Sequence, residues 1–203
     1  MSASDERVPG QPEVQREQPR TTAVRSRRLV GRDREIVEVA ETVASVPLTT
    51  VTGPGGVGKT ALALAVAAES SARFPDGVLV VWLASLRSAD LVAGEVAAQV
   101  GLQRSGGESN VDALARWLAD RDLLLVLDNC EHVVDAVARL ATSVLEATPG
   151  VHILTTSREA LGVRGEAVFA VPVLDVPDPS SRLSLEELAR VESVRLFVER
   201  AKQ

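Results

Sequence analysis

Four glycines fall within residues 53–58 of the stretch TVTGPGGVGKTALALAVA, and nothing else in the chain restricts its fold as tightly. A β-branched run, PLTTVT (47–52), leads into them, and an almost uniformly apolar run, KTALALAVAAESSA (59–72), leads out. Branched side chains favour a strand, whereas a helix that is apolar on nearly every side belongs against a sheet. The spacing therefore predicts strand, tight loop and buried helix in immediate succession. Lys59 stands where loop meets helix, one of 2 lysines beside 20 arginines. Were background composition to govern this position, it would hold arginine. The site requires a compact ammonium that a planar guanidinium does not replace.

The same alternation continues along the chain. REIVEVAETVAS (34–45) places Ile36, Val37, Ala40 and Val43 at helical spacing. GVLVVWLAS (77–85) reads as a buried strand, SADLVAGEVAAQVGL (88–102) as a helix, and NVDALARWLAD (110–120) as a helix capped by Asn110. LLLVLD (123–128) is the most apolar run and is expected at the centre of a sheet. VVDAVARLATSVLEA (133–147) is an amphipathic helix, and VHILTT (151–156) and EAVFAVPVL (166–174) read as strands. Strands alternating with helices imply an α/β fold with a parallel β-sheet and helices on both faces. The unbroken hydrophobicity of LLLVLD requires burial from both sides. With 2% aromatic residues and no tyrosine, the core has to be built from Val, Leu and Ala.

The two ends differ from this middle. Residues 1–28 mix Pro, Gln, Ser and charge without a hydrophobic period and are expected to form a disordered leader. Its RSRR cluster can touch an anionic partner, although a solvated tail explains it as well. After VPDPSS (176–181), LSLEELARVESVRLFVERAKQ reads as one helix with a stripe of Val191, Val194, Phe197 and Val198. With nothing after it to cover that stripe, residues 181–203 are expected to open a helical subdomain beyond a main domain at 29–180. A net charge of −6 gives no overall electrostatic footprint for nucleic acid. Cys130, the single cysteine, rules out a disulfide framework. No apolar run approaches the ~18 residues of a membrane span, and the polar start is no signal peptide. A cytoplasmic protein without membrane contact is expected.

GPGGVGKT (53–60) fits the spacing G-x-x-x-x-G-K-[ST] in the strand–loop–helix setting that its chemistry needs. Its chance occurrence in a chain of this composition is roughly one in a thousand. The backbone of Gly53, Gly55, Gly56, Val57 and Gly58 can turn its N–H groups inward on a phosphate. Thr60 and Ala61 add the positive end of the helix dipole. Lys59 reaches the β- and γ-phosphates, and the Thr60 hydroxyl suits Mg²⁺, a hard ion that prefers oxygen. These features describe a P-loop for ATP or ADP.

A P-loop calls for an apolar strand ending in an acid that holds Mg²⁺ through water, and LLLVLDNCEH supplies Asp128. The next residue is Asn129, whose amide cannot take a proton from water, so Glu131 is the nearest candidate base and hydrolysis is expected to be slow. Cys130 and His132 read as packing and helix-start residues. ILTTSRE (153–159) closes another strand at the carboxyl edge, where open parallel sheets bind ligands. Arg158 is placed there to sense the γ-phosphate, and Thr156 or Ser157 to orient water; a surface arginine at a helix start is the plainer alternative.

Together these elements resemble the STAND class of signalling ATPases, which includes the NB-ARC modules. LVGRDREI (29–36) is similar to that class's hhGRExE motif, which implies that Val30, Gly31 and Arg32 receive the nucleotide. TSR (156–158) falls on its sensor. LDNCEH, LGVRGEAVFAVPVL and SVRLFVERA look like large bacterial transcription regulators of LuxR or SARP type. The resemblance implies a nucleotide switch, monomeric with ADP and a homo-oligomer with ATP, with DNA contacted only through a domain absent from this chain. Two alternatives stay open: a P-loop enzyme with rapid turnover, such as a small-molecule kinase or transport ATPase, and a scaffold that keeps ADP without hydrolysing ATP.

Overall fold

The structure, a computed structural model, describes residues 29–102, 107–178, 180–181 and 183–201, so the expected leader lies outside the described residues. Five strands form one sheet: β1 (Leu48–Thr52), β2 (Val78–Trp82), β3 (Leu123–Asp128), β4 (Val151–Ser157) and β5 (Ala167–Ala170). Every pairing is parallel, and the spatial order is β2-β3-β4-β1-β5. In a parallel sheet all carboxyl ends lie at one edge, so Thr52, Asp128 and Ser157 finish together.

Successive side chains of a strand point to opposite faces, and β3 uses both. Leu123, Leu125 and Leu127 pack with α3 (Val92–Gln99), α4 (Asn110–Leu118) and α5 (Val134–Ala147). Leu124 and Val126 pack with α1 (Asp33–Ser45) and α2 (Lys59–Ser70). All six residues of β3 are buried, as its unbroken hydrophobicity requires. The two cores are built almost wholly from Val, Leu and Ala.

Several boundaries depart from the sequence expectation, each for a local reason. β2 stops at Trp82 because its partner β3 stops at Asp128. Leu83 N makes a last bond to Asp128 O, and the chain then turns back with Leu86 N donating to Leu83 O. β5 is shorter than 166–174 because Pro172 offers no N–H to the ladder after Val171 N has bonded Thr52 O. The cap of α4 is Ser109, one residue before Asn110. Its backbone is extended, and its Oγ accepts the Asp112 N–H.

The final run is two helices, α6 (Leu185–Leu188) and α7 (Glu192–Ala201), not one. A capping box starts α6: Ser184 Oγ accepts from Glu187 N, and the Glu187 carboxylate accepts from Ser184 N. After one turn Val191 N bonds back to Leu188 O, and α7 starts afresh at Glu192.

Candidate functional site

The turn between β1 and α2 is built by glycines in backbone conformations that other residues resist. Gly56 and Gly58 have φ of 81° and 102°, and a Cβ added at either would meet no atom within 4 Å. The requirement there is the left-handed backbone, and the space beside it is open. Gly58 stands at the N-cap of α2, where no side chain caps the helix and no acid lies in the first turn. The first N–H groups of a helix have no partner within it. Here they face the loop, so the helix start is suited to an anion.

Lys59 is 9% exposed. Its Nζ donates to Gly53 O at 2.9 Å and Pro54 O at 3.2 Å. An ammonium has three donors. Two hold it against the loop that it follows, and the third is left for a ligand.

Because β4 lies between β1 and β3, a hydroxyl from β4 can join the loop side to the acid side. Asp128 Oδ1 accepts from Thr60 Oγ1 and from Thr156 Oγ1, both at 2.7 Å. Thr156 Oγ1 in turn accepts from Asn129 N at 2.9 Å, and Cys130 N donates to Thr156 O at 2.8 Å. Thr156 is therefore occupied in fixing Asp128 and the turn after β3, and not in orienting water. Among the described residues no side chain or backbone donor bonds Asp128 Oδ2. A carboxylate oxygen left open, beside a hydroxyl whose proton is already donated and whose lone pairs are free, is a donor set for a hard cation. The residues fit Mg²⁺.

Asn129 is the one non-glycine residue at positive φ among those described, at 68°. Asparagine is among the few side chains that tolerate this region, so the turn explains the amide at this position. Cys130 is fully buried, and burial first, then the Asp128 charge, pushes its thiol well above the usual range. It is a packing residue, as expected. Glu131 and Arg158 meet as an ion pair, Oε1 to Nε at 3.4 Å. Arg158 also reaches the loop, its Nη2 lying 3.8 Å from where a Cβ on Gly55 would stand.

A cleft of about 410 Å³ continues from the loop. Gly56, Val57, Gly58 and Ala61 line it from the loop and α2, and Leu29, Val30 and Arg32 from the segment before α1. The structure thus brings Leu29, Val30 and Arg32 to the same cleft as the glycine loop, whereas Gly31 is not among the residues that line it. Arg32 is 4% exposed and pairs with Glu35, while its Nη2 donates to Pro172 O at 2.6 Å. It ties the chain after β5 to the start of α1. Gly31 is pinned beneath α7, since a Cβ there would come within 3.1 Å of Glu192.

Besides Leu29, which adjoins the expected Val30, sequence reasoning missed four lining residues of this cleft: Leu174 after β5, and Leu196, Glu199 and Arg200 of α7. Their only signal was the helical spacing of Leu196 and Arg200, which does not tell what the helix faces.

Thr156→Val tests the junction between β3 and β4. The change keeps shape but removes a donor from Asp128 and an acceptor from Asn129 N–H. Leaving buried groups unsatisfied costs about 1–3 kcal/mol, so the urea midpoint is expected to fall with an unchanged slope. A midpoint equal to the wild type would refute the role given to this hydroxyl.

Among the described residues no helix is long and apolar enough to cross a membrane. The chain is similar to a protein of Mycobacterium tuberculosis named as an HTH-type transcriptional regulator, 42% identical over 145 residues, 71% of this chain and 16% of that protein. It is similar also to the regulatory protein AfsR of Streptomyces griseus, 35% identical over 168 residues, 76% of this chain and 16% of AfsR. The chain thus spans 16% of the length of either regulator. A Walker-type ATPase of Pyrococcus abyssi shares the fold, with a TM-score of 0.53 at 16% identity over 87% of this chain and 61% of that one. The family model described as an AAA domain matches residues 45–162, from the end of α1 to beyond Arg158. The glycine loop, Lys59, Thr60, Asp128 and Arg158 all fall inside that match, and the chain belongs to the AAA domain family.

Proposed function

We propose that this chain is the nucleotide-binding module of a STAND-type signalling switch, holding ADP at rest and ATP with Mg²⁺ when active. The observation that carries the reading is the bond from Thr60 to Asp128 at 2.7 Å, made beside an ammonium held over an uncapped helix start. Backbone N–H groups of the loop receive the β-phosphate, and Lys59 bridges toward the γ-phosphate. The apolar side chains of Leu29, Val30, Leu174 and Leu196 suit a purine ring. Mg²⁺, when bound, neutralises phosphate charge and orients the terminal group. Thr60 and Asp128 are the side chains that would hold it.

Only contacts that differ between ADP and ATP can shift a conformational equilibrium. Lys59 and Arg158 are the groups in reach of the one phosphate that distinguishes them. Asn129, where an acid would otherwise follow Asp128, supports slow hydrolysis, so that the ATP state persists long enough to signal. The similarity to HTH-type transcriptional regulators and AfsR supports a role in transcription control; a cytoplasmic location, oligomerisation in the ATP state and DNA contact through another domain belong to the same proposal.

Turnover separates this reading from a rapid P-loop enzyme and from an inert scaffold. With stoichiometric ATP, phosphate release is expected to take minutes or longer and to leave ADP bound. Bound ADP is expected to exchange for ATP. Many turnovers per second would overturn the switch in favour of an enzyme, and ADP that never exchanges would overturn it in favour of a scaffold.

A further inference from the structure

We propose that Glu131 is a positioning residue for Arg158, aiming its guanidinium at the phosphate loop, and does not act as the base that activates water. This rests on the nucleotide-switch reading and assigns a role within the same site. The two residues leave adjacent strands, Glu131 from the turn after β3 and Arg158 from the end of β4. Those elements are tied together between them: Asn129 N bonds Thr156 Oγ1 and Cys130 N bonds Thr156 O. The backbone on either side of the ion pair is thereby held in one register.

A guanidinium is planar and rigid, so fixing its Nε edge sets the direction of its two Nη groups. Glu131 Oε1 stands 3.4 Å from Nε as an ion pair, and Nη2 lies beside Gly55. Arg158 is 68% exposed, and without this partner its long side chain would sample many rotamers. Glu131 is a poor base in this arrangement. One oxygen faces a cation, and the other is closed off from solvent with no hydrogen-bond partner. A general base has to reach the water that it deprotonates.

The test is a double-mutant cycle on the whole chain, with ADP and a non-hydrolysable ATP analogue titrated calorimetrically in Mg²⁺. Glu131→Gln is expected to weaken the analogue about threefold to fivefold, the size open to an exposed ion pair, and to leave ADP affinity unchanged. Arg158→Ala is expected to lose at least as much, and Glu131→Gln added to it to lose nothing further. Single-turnover hydrolysis should fall in Glu131→Gln by about the same factor as analogue affinity. Unchanged analogue affinity with hydrolysis abolished would make Glu131 the base and overturn the proposal; so would additive losses in the double variant. A wild-type chain that binds neither nucleotide would defeat the switch reading itself, before any variant is compared. If Glu131→Gln loses ADP as well, Glu131→Asp replaces it in the cycle; its shortened carboxylate is expected to give the same ATP-selective, non-additive loss.

Discussion

Lys59→Ala is expected to lower the affinity for ADP about a hundredfold, and that for ATP by more, since Lys59 also reaches toward the γ-phosphate. Hydrogen bonds to charged groups contribute about 1.5–3 kcal/mol, and the upper end of that range corresponds to roughly two decades in dissociation constant. The upper end applies because the ammonium is 9% exposed and already oriented. It gives two donors to the carbonyls of Gly53 and Pro54, so little side-chain freedom remains to be lost when phosphate arrives. Alanine removes the charge and leaves those carbonyls without their donor. Lys59→Arg separates charge from shape. The guanidinium keeps the charge but is planar and wider, and it cannot take the position between two loop carbonyls, so it is expected to restore less than a tenth of the lost affinity. Calorimetric titration with ADP measures both. Undiminished binding by the alanine variant would remove the glycine loop from the site.

The parts of this site that could be read from the sequence are those set by neighbours in the chain. Gly53 to Thr60 carry loop, ammonium and hydroxyl within eight consecutive residues, and Asp128 is the last residue of its apolar strand. Local pattern sufficed for both. Strand order was not legible, because parallel strands pair across helices whose sequences do not name their neighbours. Hence Thr156 looked free to orient water, whereas the placement of β4 between β1 and β3 commits it to Asp128 and Asn129. The bond from Arg32 to Pro172 spans 140 residues and leaves no local trace. At the C-terminal helices only the start was legible. Ser184 and Glu187 stand at capping-box spacing and mark where α6 starts, but they carry no signal for its end, and the apolar stripe of Val191, Val194, Phe197 and Val198 reads as one continuous helix.

Asp128→Asn is expected to raise the Mg²⁺ concentration needed for half-maximal ATP binding by 10- to 100-fold, the range found when an outer partner of a metal is lost. Metal-free binding of ADP is expected to change little. The substitution isolates charge from structure. Asparagine Oδ1 can still accept from Thr60 and Thr156, as the aspartate oxygen does at 2.7 Å in each case. The junction of β1, β3 and β4 therefore remains bonded, and thermal stability should stay near that of the wild type. What the amide cannot supply is the negative charge, or an open acceptor in place of Oδ2, where its NH₂ group now stands. Asp128→Ala removes acceptor and charge together, so it should lose stability as well as Mg²⁺ dependence. The difference between the two variants measures how far Asp128 serves the fold and how far the cation. If Asp128→Asn leaves the Mg²⁺ dependence of ATP binding unaltered, the oxygens at Thr60 and Asp128 do not hold the ion. The bond between them would then be no more than a link between strand and helix.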